Sequence, residues 1–154
     1  MEGQLADTWN INNRINLYML DAIAPEALSG VSASKGRNVG EQFAHMHNVR
    51  LMWLEAAAKD LMDRLAKIEK ADALDKALLA RSLEASGAAI ETLLNRSAAA
   101  GGKVKGFKPH VTAFLGYLCA HEGYHRGEIS IILHQAGHKL DQKVAYGIWE
   151  WGAR

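Results

Sequence analysis

The chain has 154 residues, 49% hydrophobic and 23% charged, with 18 Lys and Arg against 17 Asp and Glu for a formal charge of +1. That length suits one domain over residues 1–154, the near-neutral charge argues against a nucleic-acid surface, and no apolar run approaches the ~20 residues that cross a bilayer. The opening Met1-Glu2-Gly3-Gln4-Leu5-Ala6-Asp7 lacks the basic flank and apolar stretch of a signal peptide, and a single cysteine, Cys119, allows no internal disulfide, so the expected compartment is the cytoplasm.

Only two prolines occur, Pro25 and Pro109, and no segment alternates apolar and polar residues long enough to argue for a strand. A first helix is expected from about Leu5 to about Ile23, closed by Pro25, which disfavours a helical residue before it. The stretch from Pro25 to Arg37 is rich in Ser, Gly and small residues and reads as a long connection. Asn38 is placed to cap a second helix with Glu41 as capping-box partner, and the helical pattern runs past Trp53 into Leu61 to Leu65.

A third helix, from about Asp75 to about Ala98, carries Leu79, Leu83, Ile90 and Leu94 at helical spacing, and Gly101-Gly102 stops it. A loop with Lys103, Lys105 and Lys108 around Phe107 follows; a solvated loop and an attractor of acidic ligands explain those lysines equally well. The fourth helix, from about Pro109 to about Ala136, carries the stripe Phe114, Leu118, His121, His125, Ile129 and Ile132, with Gly137 as its stop. His110, His134 and His138 read as helix-end or surface residues. In the tail, Trp149 and Trp151 are expected to pack on the bundle or on a second copy. Four long helices imply an all-α four-helix bundle with a long connection between helices 1 and 2.

His121 and His125 stand one turn apart on the same helical face, so both imidazoles can reach one cation. A catalytic cation usually takes three protein ligands and keeps an open position, so a third donor must come from another helix. The second helix offers His45 and His47 on different faces. Periodicity slightly favours His47, by a margin too small to decide.

The motifs His45-x3-Val49-x3-Trp53 and Ala120-His121-Glu122-x2-His125-x-Gly127-Glu128-Ile129 resemble the DinB-like superfamily of four-helix metalloproteins, over almost the whole chain. The resemblance implies that His45, His121 and His125 bind a divalent metal, commonly zinc or nickel, with His47 as the fallback ligand. It also implies that homodimers are common, and that activity, where present, is that of a metal-dependent transferase or isomerase using a low-molecular-weight thiol and an electrophile as partners. Many relatives carry Gln where this chain has Glu128, which adds a negative charge that Arg126 can neutralise or that can serve as ligand or base.

His121-Glu122-x2-His125 also matches the zinc-peptidase motif. A peptidase of that class needs a third ligand downstream and a strand-built cleft; the distant carboxylate Glu150 lies beyond the Gly137 break and no strand is visible, so Glu122 is expected to face solvent. Asn12 and Asn16, one turn apart, are read as solvent-facing amides in preference to a polar pocket near the metal, and Cys119 as an inert, buried thiol. A second class of function is a non-catalytic metal-binding or stress-response protein.

Overall fold

The computed structural model describes residues 3–154. Four long helices, α1 (Gln4–Asp21), α2 (Val39–Ala57), α3 (Lys76–Ala99) and α4 (Val111–Gln135), form an all-α bundle, followed by a short α5 (Gln142–Gly147), and no strand occurs among the described residues. Around the bundle the order is α1, α3, α2, α4, so that α1 and α2 lie on a diagonal. A connection across that diagonal must be long, and the chain crosses it through a 3-10 turn, Pro25–Ser29, which buries Ala27 and Leu28.

Local chemistry sets most helix ends. Asn38 Oδ1 accepts from the Glu41 amide at 2.8 Å while the Asn38 amide donates to Glu41 Oε2 at 2.9 Å, the reciprocal capping expected from sequence. Asp75 caps α3 by accepting from the Leu78 amide, and His110 caps α4 through Nδ1, which accepts from the Ala113 amide. Beyond α4, Gly137 takes the left-handed conformation with φ 82°.

The second helix is shorter than its pattern suggests. It stops at Ala57, Ala58 turns out of helical geometry at φ −155°, and a 3-10 turn, Lys59–Met62, follows. The reason is topological. Lys76 at the start of α3 donates to the carbonyls of Asp21 and Ile23, so α3 begins where α1 ends and runs parallel to α2. Residues 58–75 therefore have to travel back along the bundle as a strap. Leu61, Met62 and Leu65 pack against the core from this strap rather than from a helix. Asn48 ties it down through both amide atoms to the backbone of Ile68, at 3.0 and 2.9 Å. At the strap's end, a Cβ on Gly40 would collide with the Ala73 carbonyl oxygen, so only glycine permits this approach.

The interior is divided. One apolar cluster gathers Met19, Leu20, Leu28, Val39, Phe43, Met46, Leu79, Leu83, Ile129 and Ile132. The other gathers Trp9, Leu51, Leu54, Ile90, Leu94, Phe114 and Leu118. Between them lies a buried polar layer of Asn12, Asn13, Asn16, His47, Arg50, Ser86 and Glu122. The tail packs back in part: Ile148 meets the first cluster and Arg154 covers the Tyr18 ring at 3.6 Å, but Trp149 stays 76% exposed and is no core residue. No helix among the described residues is long and apolar enough to cross a membrane.

Candidate metal centre

α2 and α4 run side by side, joined by Gln42 to His125, Arg50 to Glu122, and Trp53 edge-on to Phe114 and Tyr117. That register brings His45 of α2 against the His121 and His125 pair of α4. Ring centroids are 4.6 Å apart for His45 and His125, 5.3 Å for His45 and His121, and 4.6 Å for His121 and His125. One ligating nitrogen from each ring lies within 4.8 Å of the others, a spacing at which three imidazoles could hold a metal ion.

The protonation chemistry of the three rings suits a cation. His125 Nδ1 faces two oxygens, Gln42 Oε1 at 2.7 Å and Glu128 Oε2 at 3.1 Å, so it carries the proton and donates. Its Nε2 is then a bare lone pair aimed at His121 Nε2, 3.1 Å away. Outer oxygens that fix a ring's tautomer in this way are the usual support of metal-bound histidine. Burial is the main cause that lowers the pKa of all three rings, and Arg37 lowers each further; His45 falls to about 4. The donors are neutral at pH 7, as metal binding requires.

His121 supplies the test of fit. Its Nδ1 is buried and has no hydrogen-bond partner. With the proton on Nδ1, His121 Nε2 and His125 Nε2 point two lone pairs at one another across 3.1 Å, which is repulsive without a cation between them; with the proton on Nε2, the two rings hydrogen-bond and Nδ1 is left a buried acceptor with no donor. Two nitrogens on one tetrahedral zinc stand about 3.3 Å apart, close to the separation seen. The residues present therefore fit a divalent ion.

The other sequence candidates fall elsewhere. His47, which periodicity favoured, is buried with both ring nitrogens engaged, Nδ1 with Ser86 Oγ at 3.0 Å and Nε2 with the Ala66 carbonyl at 2.9 Å, and so serves the strap. Glu128 sits beside the outer nitrogen of His125 and positions that ring from behind. Arg126 does not neutralise it, donating instead to Asn12 and Asn16 Oδ1. Lys103, Lys105 and Lys108 are exposed and line neither cleft beside the histidines.

Two expectations need correction. Glu122 does not face solvent: it is 1% exposed, its Oε1 accepts from Arg50 Nε at 2.6 Å, and its Oε2 accepts from Asn12, Asn16 and Arg50 Nη2. Asn12 and Asn16 are likewise wholly buried, as partners of that carboxylate. With both oxygens occupied Glu122 has no room to activate a water, which removes the general base a zinc peptidase needs. Arg50 was not anticipated, although a signal existed: it occupies the interior stripe Phe43, Met46, Arg50, Leu54, where a charge must find a buried partner.

Open space adjoins the cluster on the side of His45 and of the Gln42 and Glu128 side chains that hold His125. A cleft of about 700 Å³ includes His45, Ala44 and Asn48 in its wall, and a second of about 360 Å³ includes Gln42 and Glu128; Gly36 and Arg37 form a rim common to both. The cluster is thus closed toward the core and approachable from the loop between α1 and α2.

The family model described as DinB family matches residues 1–148, and the chain belongs to that family. No curated protein and no solved structure matches it.

Proposed function

We propose that this DinB-family protein holds one divalent cation, zinc or nickel, on His45, His121 and His125, and acts with a low-molecular-weight thiol as a metal-dependent transferase or isomerase. The observation that carries the reading is the convergence of three neutral imidazoles from two helices beside open clefts, with one outer nitrogen already held by Gln42 and Glu128. When bound, the cation would supply Lewis acidity, since three neutral donors leave its charge undiminished and an attached thiol then ionises near neutral pH. Gln42 and Glu128 keep the His125 proton on Nδ1 and its lone pair toward the site. The chain offers no thiol of its own for the chemistry: Cys119 packs against the apolar core, where burial, reinforced by Glu122, pushes its pKa up to about 11. The nucleophile must therefore come from solution through the clefts.

Elemental analysis of untagged protein tests the first half. One zinc or nickel per chain should be retained by His47→Ala and lost by His45→Ala and by His125→Ala. Thiolate absorbance tests the second half: a small thiol added to the loaded protein should ionise at lower pH than it does beside the metal-free protein. Full loading with unchanged thiol ionisation would favour a purely stabilising ion, the reading supported by the near-complete burial of His125. The exposed Tyr146 and Trp149 form the surface through which two copies would pair in a homodimer, readable by sedimentation.

A further inference from the structure

Arg37 is exposed at the common rim of the two clefts, one residue before the cap of α2. The loop that carries it is held by its own hydrogen bonds and by an anchor on α4. Lys35 and Gly36 take left-handed conformations at φ 66° and 101°, the Lys35 amide donates to the Ser32 carbonyl at 2.9 Å, and Ser32 Oγ donates to the Lys35 carbonyl at 2.9 Å. The Ala33 amide is anchored on Gln135 Oε1 of α4 at 2.8 Å, and the Val39 amide on the Gly30 carbonyl at 3.1 Å.

The other cations of the larger cleft have partners, Lys70 with Glu41 at 3.4 Å and Lys67 with Glu69 at 3.5 Å. Among the described residues the Arg37 guanidinium makes no ion pair and no side-chain hydrogen bond. The cleft whose rim Arg37 forms has His45 in its wall, so a ligand moving toward the histidines passes this free guanidinium, and its planar fork matches a carboxylate.

We propose that Arg37 anchors a carboxylate of the small molecule that uses the histidine site, so that the larger cleft selects acidic thiols over neutral ones. This rests on the metal-and-thiol reading above. Glu128 does not oppose it, because that carboxylate is turned to the outer nitrogen of His125 and lines only the smaller cleft.

The test uses cobalt-loaded full-length protein, whose visible spectrum reports thiol binding, with mercaptosuccinate and 2-mercaptoethanol as probes. Arg37→Gln should weaken mercaptosuccinate by roughly fivefold relative to 2-mercaptoethanol, the size of an exposed but charge-assisted pair. Metal affinity, read by chelator competition, should rise in the same variant as a repelling charge is removed. Arg37→Lys should recover part of the mercaptosuccinate preference. Equal weakening of both thiols, or none, would overturn the proposal. If neither thiol alters the cobalt spectrum, the thiol reading fails by itself, and succinate titrated calorimetrically into metal-free protein decides about Arg37: binding lost in Arg37→Gln supports the anchor, whereas equal or absent binding overturns it.

Discussion

Replacing Glu122 with Gln keeps the shape of the side chain and removes its charge. Both carboxylate oxygens currently accept, Oε1 from Arg50 Nε and Oε2 from Asn12, Asn16 and Arg50 Nη2. The new amide group must place its own donor at one of these positions, facing a donor already there, and Arg50 stays buried without a counter-charge. Breaking one side of a buried ion pair costs about 3–5 kcal/mol, which for a chain of this size lowers the melting temperature by roughly 8–16 °C. Urea unfolding at pH 7 reads the loss directly. The pH dependence supplies a second reading. Burial alone would raise the Glu122 pKa, but the Arg50 charge and the hydrogen bonds from Arg50, Asn16 and Asn12 outweigh it and hold it below the ordinary 4.5. A carboxylate depressed on folding stabilises the protein above its unfolded pKa, and that contribution is lost as pH falls through the folded pKa. The gap between wild type and Glu122→Gln should therefore be full at pH 6–7 and narrow below about pH 4. Adding Arg50→Met to Glu122→Gln should cost less than the sum of the single changes, by about 2 kcal/mol. A loss under about 1 kcal/mol for Glu122→Gln, or strict additivity with Arg50→Met, would refute the ion-pair account.

Zinc or nickel at about a hundred times its dissociation constant should stabilise the wild type by about 2.7 kcal/mol, seen as a rise in melting temperature that disappears in His121→Ala. His47→Ala should keep that metal-dependent rise while lowering the baseline stability by about 1–3 kcal/mol, because the Ala66 carbonyl loses its side-chain donor and Ser86 keeps only Arg50; loss of metal from this variant would restore His47 as a ligand. Burial lowers the His47 pKa on folding, so its neutral form contributes stability above pH 6.5 that fades as pH falls toward the folded pKa, and His47→Gln should flatten the slope of stability with pH just below 6.5. Gly40→Ala should destabilise by about 1–3 kcal/mol and raise amide exchange in residues 66–73, since the collision falls on the strap's backbone; an unchanged denaturation midpoint would show that the strap yields at no cost.

The helices were legible because their ends carry local chemistry: Asn38 with Glu41, the paired glycines at 101 and 102, and Gly137 each act within a few residues of themselves. The end of α2 was not, since no glycine or proline marks Ala57, and the break follows from where α3 must begin. The histidines were legible in a particular way. Helical periodicity reports burial: it slightly favoured His47 as the third donor because His47 is the more buried of the two rings on α2. The three rings that converge, however, include two at half-exposed positions at the edge of the stripe, His45 and His121. Glu122 was misread for the complementary reason: it falls between Leu118 and His125 at interior spacing, but a carboxylate is expected outside unless its partner is known, and Arg50 is 72 residues away in the chain.

The buried layer accounts for the position of the site as much as for stability. Three donor nitrogens within 4.8 Å require α2 and α4 to hold one register, since a slip of one helical turn moves a side chain by about 5.4 Å. Apolar contacts resist such a slip weakly, because one aliphatic neighbour can replace another of similar volume. Arg50 resists it strongly: its five hydrogen bonds reach Glu122 on α4, the Leu83 carbonyl and Ser86 on α3, and Asn13 on α1, and no neighbouring turn of α4 offers a second carboxylate facing the core. Asn12 and Asn16 extend the constraint through Arg126, the residue following His125. Apolar packing on either side supplies cohesion, while the charged layer between selects the one alignment in which the imidazole of α2 meets the pair on α4.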